Sequence, residues 1–114
     1  MTVDQLIFVG FNGYIAALNR DTGDIVWSNK QMKHKGSVIF LLDEDRLIAS
    51  INGYIYCLNP LTGEILWHNP MKGYGWGIAS LASVRGSSMQ VIVHQAAAQE
   101  QAAQSAAITS TTGA

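Results

Sequence analysis

Apolar positions along the chain fall into runs of five or six residues, cut by Asn-Gly, Thr-Gly and short acidic clusters. Runs of that length, rich in β-branched and aromatic residues and bounded by turn formers, predict strands. Leu6–Phe11 ends at Asn12-Gly13, a dipeptide suited to a tight hairpin because both positions tolerate positive φ. Tyr14–Leu18 returns antiparallel, Asn19–Gly23 is a longer turn, and Ile25–Ser28 is a third strand carrying Trp27. The polar connection Lys30–Lys35 leads to Ser37–Leu42, an apolar strand suited to the crowded centre of a ring. After the turn Asp43–Asp45 come strands at Leu47–Ile51, Tyr54–Leu58 and Ile65–His68. A last round predicts a strand at Gly77–Val84, a turn at Arg85–Ser88 and a strand at Met89–His94.

The pattern repeats. NGYIAALNRDTGDIVWSN, from Asn12 to Asn29, returns as NGYIYCLNPLTGEILWHN, from Asn52 to Asn69, with eleven of eighteen positions identical at an offset of 40. Periods near ~40 residues belong to four-stranded propeller blades or to paired-helix solenoids. The glycines leave no unbroken helical run, so blades are expected. The fold class is all-β: about two four-stranded antiparallel β-propeller blades, of which only the middle one is complete within the chain. Residues 1–94 form the blades. Residues 95–114, rich in Ala and Gln, form a short C-terminal helix or tail. Two blades alone leave unpaired sheet edges and an apolar face at each end.

Composition narrows the functional classes. At 114 residues the chain has room for one ordinary domain. A net charge of −1 offers no field to nucleic acid or to anionic lipid, so neither is expected as a partner. The lone Cys57 excludes an internal disulfide and a thiolate-rich metal site. No apolar segment reaches the ~20 residues of a membrane helix. The start of the chain has no signal-peptide pattern, and a cytoplasmic location is expected.

The two Trp-ending segments resemble the quinoprotein alcohol dehydrogenase-like propellers, the PQQ-like repeats, whose blade signature is Ala-x-Asp-x-x-Thr-Gly-x-x-x-Trp. Ala17, Asn19, Thr22, Gly23 and Trp27 fill that frame in the first unit. Cys57, Asn59, Thr62, Gly63 and Trp67 fill it in the second. Asn replaces Asp in both units, and Cys replaces Ala in one. The resemblance implies blade docking by these ten residues, each Trp lying between neighbouring blades on the small residue of the signature. On that basis Trp27→Ala and Trp67→Ala are each expected to cost roughly 3–5 kcal/mol. Family dehydrogenases hold a quinone and calcium, with a disulfide between adjacent cysteines. A single cysteine cannot supply that disulfide, so the resemblance points to a non-enzymatic branch without cofactor.

The remaining candidates are weaker in pattern. Asp43, Glu44 and Asp45 read as a polar hairpin turn and not as a metal site. Lys30, Lys33, His34 and Lys35 read as a solvated connection. His34, His68 and His94 are scattered in strand phase, and no Ser or Cys has a base partner, so no catalytic residue is assigned. Tyr14 and Tyr54 recur once per blade, and Tyr74 and Trp76 lie in the Gly-rich stretch MKGYGWG; these four aromatics are the candidate ligand-binding residues. The expected function is a non-catalytic repeat protein. It self-assembles by blade completion into a ring, a trimer or tetramer of two-blade protomers, and serves as a scaffold or as a ligand- or protein-binding module, the ligand being a glycan or a peptide. A carbohydrate-binding lectin and a truncated piece of a quinoprotein-type enzyme are the alternatives.

Overall fold

The computed structural model describes residues 1–88. The expected strand Met89–His94 and the tail 95–114 lie outside the described residues. A 3-10 turn, Val3–Gln5, leads into two antiparallel sheets. The first sheet has strands β1 (Leu6–Phe11), β2 (Tyr14–Asn19) and β3 (Ile25–Asn29) in sequential order. The second has β4 (Val38–Asp43), β5 (Arg46–Ile51), β6 (Tyr54–Leu58), β7 (Ile65–Asn69) and a two-residue β8 (Ser87–Ser88), in the order β7-β6-β5-β4-β8. Strands β4 to β7 make one full four-stranded blade, and β1 to β3 make a blade in which no described residue supplies the strand equivalent to β4.

Both blades are built by the same local rules. Asn12 and Asn52 take φ of 54° and 52°, followed by Gly13 and Gly53 at 80° and 93°, the left-handed pair that a two-residue hairpin needs. Each second hairpin carries the same register shift, between Ala17 and Leu18 in one blade and between Cys57 and Leu58 in the other. Val26 and Leu66 are left without a ladder partner at these bulges.

The blades stack face to face. Period-two alternation puts Leu6, Phe8, Gly10, Ile15, Ala17 and Trp27 on one face of the first blade. Leu47, Ala49, Ile51, Tyr56 and Leu58 share one face of the second, and with Ile15, Met32 and Phe40 they form the buried core. At Gly10 a Cβ would lie 2.7 Å from Val38 Cβ, so the glycine permits close approach of the two sheets. The opposite face of the first blade has no such cover: Ile7, Phe11 and Ile25 are 50%, 65% and 67% exposed. Their counterparts forty residues on, Leu47, Ile51 and Ile65, are buried or partly buried.

One expected strand is absent. Gly77–Val84 has no strand structure, and the expected turn Arg85–Ser88 instead ends in β8, which pairs Ser87 and Ser88 with Leu42 and Leu41. A strand opening a third blade needs a second strand beside it, and no described residue supplies one. The free edge of β4 takes two residues in its place. The other strands match expectation, as at Leu6–Phe11 and Tyr54–Leu58, or differ by one residue at one or both ends, as at Val38–Asp43 for the apolar central strand.

Candidate interface at the blade seam

Each signature turn is held by its own polar atoms. Asn19 Oδ1 accepts hydrogen bonds from the backbone N–H of Asp21 (2.8 Å) and Thr22 (3.3 Å), and Asn59 Oδ1 accepts one from Leu61 (2.9 Å). Thr22 Oγ1 and Thr62 Oγ1 accept from the N–H two residues on, each at 3.2 Å. Asn performs the role of Asp here because only acceptor oxygens are needed. Gly23 and Gly63 close the turns at φ of 79° and 80°.

The first tryptophan is tied to the second turn. Trp27 Nε1 donates to the carbonyl of Pro60 at 2.8 Å, and the indole covers Gly63 so closely that a Cβ there would lie 2.7 Å from Trp27 Cδ2. Beside it, Asn29 Nδ2 donates to the Gly63 carbonyl at 2.7 Å while its Oδ1 accepts from Gln31. The indole therefore meets the turn glycine of the next blade. The small signature residues Ala17 and Cys57 instead lie across their own ladders from Trp27 and Trp67.

The second copy of this apparatus has no counterpart within the described residues. Trp67 is 49% exposed, Asn69 is exposed, and Asn69 Oδ1 accepts from Met71 as Asn29 does from Gln31. Gly23, the equivalent of Gly63, is exposed and has nothing within 4 Å of where a Cβ would stand. Sequence reasoning assigned no role to Asn29, Asn69 or Pro60, although the two asparagines recur in the repeat.

The four candidate ligand-binding aromatics are not brought together. Tyr14 lies under Lys35, whose Nζ is 4.1 Å from the ring centroid and donates to the Tyr14 hydroxyl at 3.0 Å. This hydrogen bond and the lysine charge lower the Tyr14 pKa. Tyr54 is covered by His34, the rings stacked with centroids 3.4 Å apart. Tyr74 and Trp76 stand 81% and 87% exposed beside a cavity of about 270 Å³ whose lining includes Gly53, Ile55 and Met71.

A second polar feature lies at the same seam. His34 Nδ1 is 2.6 Å from the Tyr56 hydroxyl, and the Tyr56 ring stacks on His68 at 5.5 Å. Burial raises the Tyr56 pKa, so the phenol keeps its proton in this contact. Burial lowers the pKa of His34, helped by the charges of His68 and Lys33. Burial raises the pKa of the Cys57 thiol, which favours the unreactive protonated form. The acidic turn is engaged by arginines: Arg85 reaches Asp43 at 3.0 Å and Glu44 at 3.6 Å, and Arg46 reaches Asp45 at 2.9 Å. No helix among the described residues is long and apolar enough to cross a membrane.

Twinned strands, a shared bulge and a turn-to-tryptophan seam define a β-propeller repeat protein. A family model described as outer membrane protein assembly factor BamB, a PQQ-repeat model, matches residues 11–114. The chain belongs to this PQQ-like repeat family. No curated protein matches the chain.

Proposed function

We propose that the chain is a non-catalytic propeller scaffold that completes its seams with copies of itself and presents the assembled surface to protein partners. The observation that carries this reading is the asymmetry of the seam. Trp27 and Asn29 are used on Gly63, while Trp67 and Asn69 are exposed and Gly23 is open. Trp67 and Asn69 of one copy on Gly23 of the next repeat the internal seam as a head-to-tail contact. The same step covers Ile7, Phe11 and Ile25, as the second blade's equivalents are already covered. Among the described residues strand β1 also has a free edge where β5 has β4, and residues 78–83, forty positions beyond β4, are the segment to fill it in a neighbouring copy.

Six blades in a trimer or eight in a tetramer close the ring. The family description, an outer membrane protein assembly factor, supports a protein-binding role over an oxidoreductase. It also favours a place of work with outer membrane proteins over the cytoplasmic one expected from the first residues. Sedimentation velocity tests the reading: the wild-type chain sediments as an oligomer and Trp67→Ala shifts it to monomer. Identical sedimentation of the two overturns it.

A carbohydrate-binding reading draws on the exposed Tyr74 and Trp76 beside their cavity. It predicts a change in tryptophan fluorescence when sugars are titrated into the wild-type chain and none in Trp76→Ala.

A further inference from the structure

Repeat proteins keep at every unit the residues that the fold requires. A cluster that occurs at one seam and not at its repeat equivalent therefore needs a separate explanation. Such a cluster surrounds a cavity of about 170 Å³ between the two blades, lined by Gln31, Lys33, His34, Tyr56, Ile65 and His68. Forty residues away, the corresponding positions hold Met71, Gly73, Tyr74, Ala16, Ile25 and Ser28. Only the isoleucine is retained. Two imidazoles, a lysine, a phenol and a primary amide stand where the equivalent positions offer only the Tyr74 and Ser28 hydroxyls and no basic group, although the seam itself is made by Trp27, Asn29 and Gly63.

The chemistry of the lining has one sign. It contains no carboxylate. Lys33 is cationic, and Lys30 and Lys35 lie on the same connection. The Tyr56 hydroxyl occupies Nδ1 of His34, so Nε2 is the ring nitrogen left for a ligand. Gln31 offers an amide donor, and Ile65 with the Tyr56 ring gives an apolar wall for a short methylene stem. A metal cation is disfavoured by Lys33 and by the use of Nδ1. An anion is favoured by Lys33, the two imidazoles and the Gln31 amide.

We infer that this seam cavity binds a carboxylate, and that its source is an acidic side chain of a partner peptide. The volume accommodates one Asp or Glu side chain, and charge-assisted hydrogen bonds from His34, His68 and Lys33 supply the recognition. The site is complete within one chain, so it does not depend on the head-to-tail contact. The groups that face His34 are Tyr54 and Tyr56 from β6, His68 from β7 and Lys33 from its own connection, while the next lysine, Lys35, is turned onto Tyr14. Glu64 lines the adjoining cavity and not this one. Bound carboxylate stabilises the imidazolium form of His34, so affinity rises as pH falls from 8 to 6.

Imidazole nitrogen and carbon NMR signals of the full chain, titrated with glutarate and separately with a Glu-rich peptide, test this. The expected result is that His34 and His68 signals move with both probes and that the peptide binds more tightly. An otherwise identical Gln-rich peptide leaves them in place. Lys33→Ala and His68→Ala, both exposed positions, each weaken the peptide about tenfold without changing the oligomeric mass. Movement with glutarate alone overturns the peptide assignment. Equal movement with inorganic phosphate overturns carboxylate selectivity. Unmoved imidazoles, or unchanged affinity in both variants, overturn the site.

Discussion

Gly63 and Gly23 differ in surroundings and not in backbone: φ is 80° at one and 79° at the other. Alanine pays the same left-handed strain at both, about 1–2 kcal/mol. At Gly63 it also meets the Trp27 indole, so Gly63→Ala is expected to be less stable than Gly23→Ala by a further ~1–3 kcal/mol. Urea unfolding of the two variants measures that difference. The tryptophans divide in the same way. Trp27→Ala loses the hydrogen bond to Pro60 and its packing against the core, a cost of roughly 3–5 kcal/mol. Trp67 is 49% exposed within one chain, and in a Gly23→Ala background Trp67→Ala costs about 1 kcal/mol or less by the same measurement. The exposures within one chain thus predict unequal costs where the repeat alone predicts equal ones. Identical residues at equivalent positions have different neighbours, and a signature cannot report which copy of a seam is occupied.

At the level of elements, seven strands were legible because hairpin chemistry is local. Asn-Gly fixes φ within two residues, and the Asn-x-x-Thr-Gly turn satisfies itself through Asn Oδ1 and Thr Oγ1. The expected strand at Gly77–Val84 failed for the converse reason. Its apolar pattern matches that of β4, but a strand is completed by a partner, and nothing local encodes one. The His34 connection was unreadable too: the stacking on Tyr54 and the hydrogen bond to Tyr56 join residues 20 and 22 positions apart, through packing that charge pattern does not reveal. Its titration has a testable consequence. Folding lowers the His34 pKa below 6.5, so the unfolded chain takes up this proton first. The stability contribution is full above pH 6.5 and is lost as pH falls through the folded value. The thermal midpoint of the free chain therefore declines between pH 7 and 5. His34→Tyr, which installs the second unit's residue, flattens that profile.

At the scale of the molecule, the described residues form one complete blade and one lacking a strand, and among them the β1 edge is free, an apolar face is uncovered and Trp67 is exposed. Family membership accounts for the architecture, and the repeat offset identifies which surface matches which. Native mass spectrometry of the full chain at micromolar concentration tests the central claim most directly. The account predicts a single closed species at three or four times 12.3 kDa, reduced to monomer by Gly23→Ala. A monodisperse 12.3 kDa monomer of the wild-type chain would contradict it.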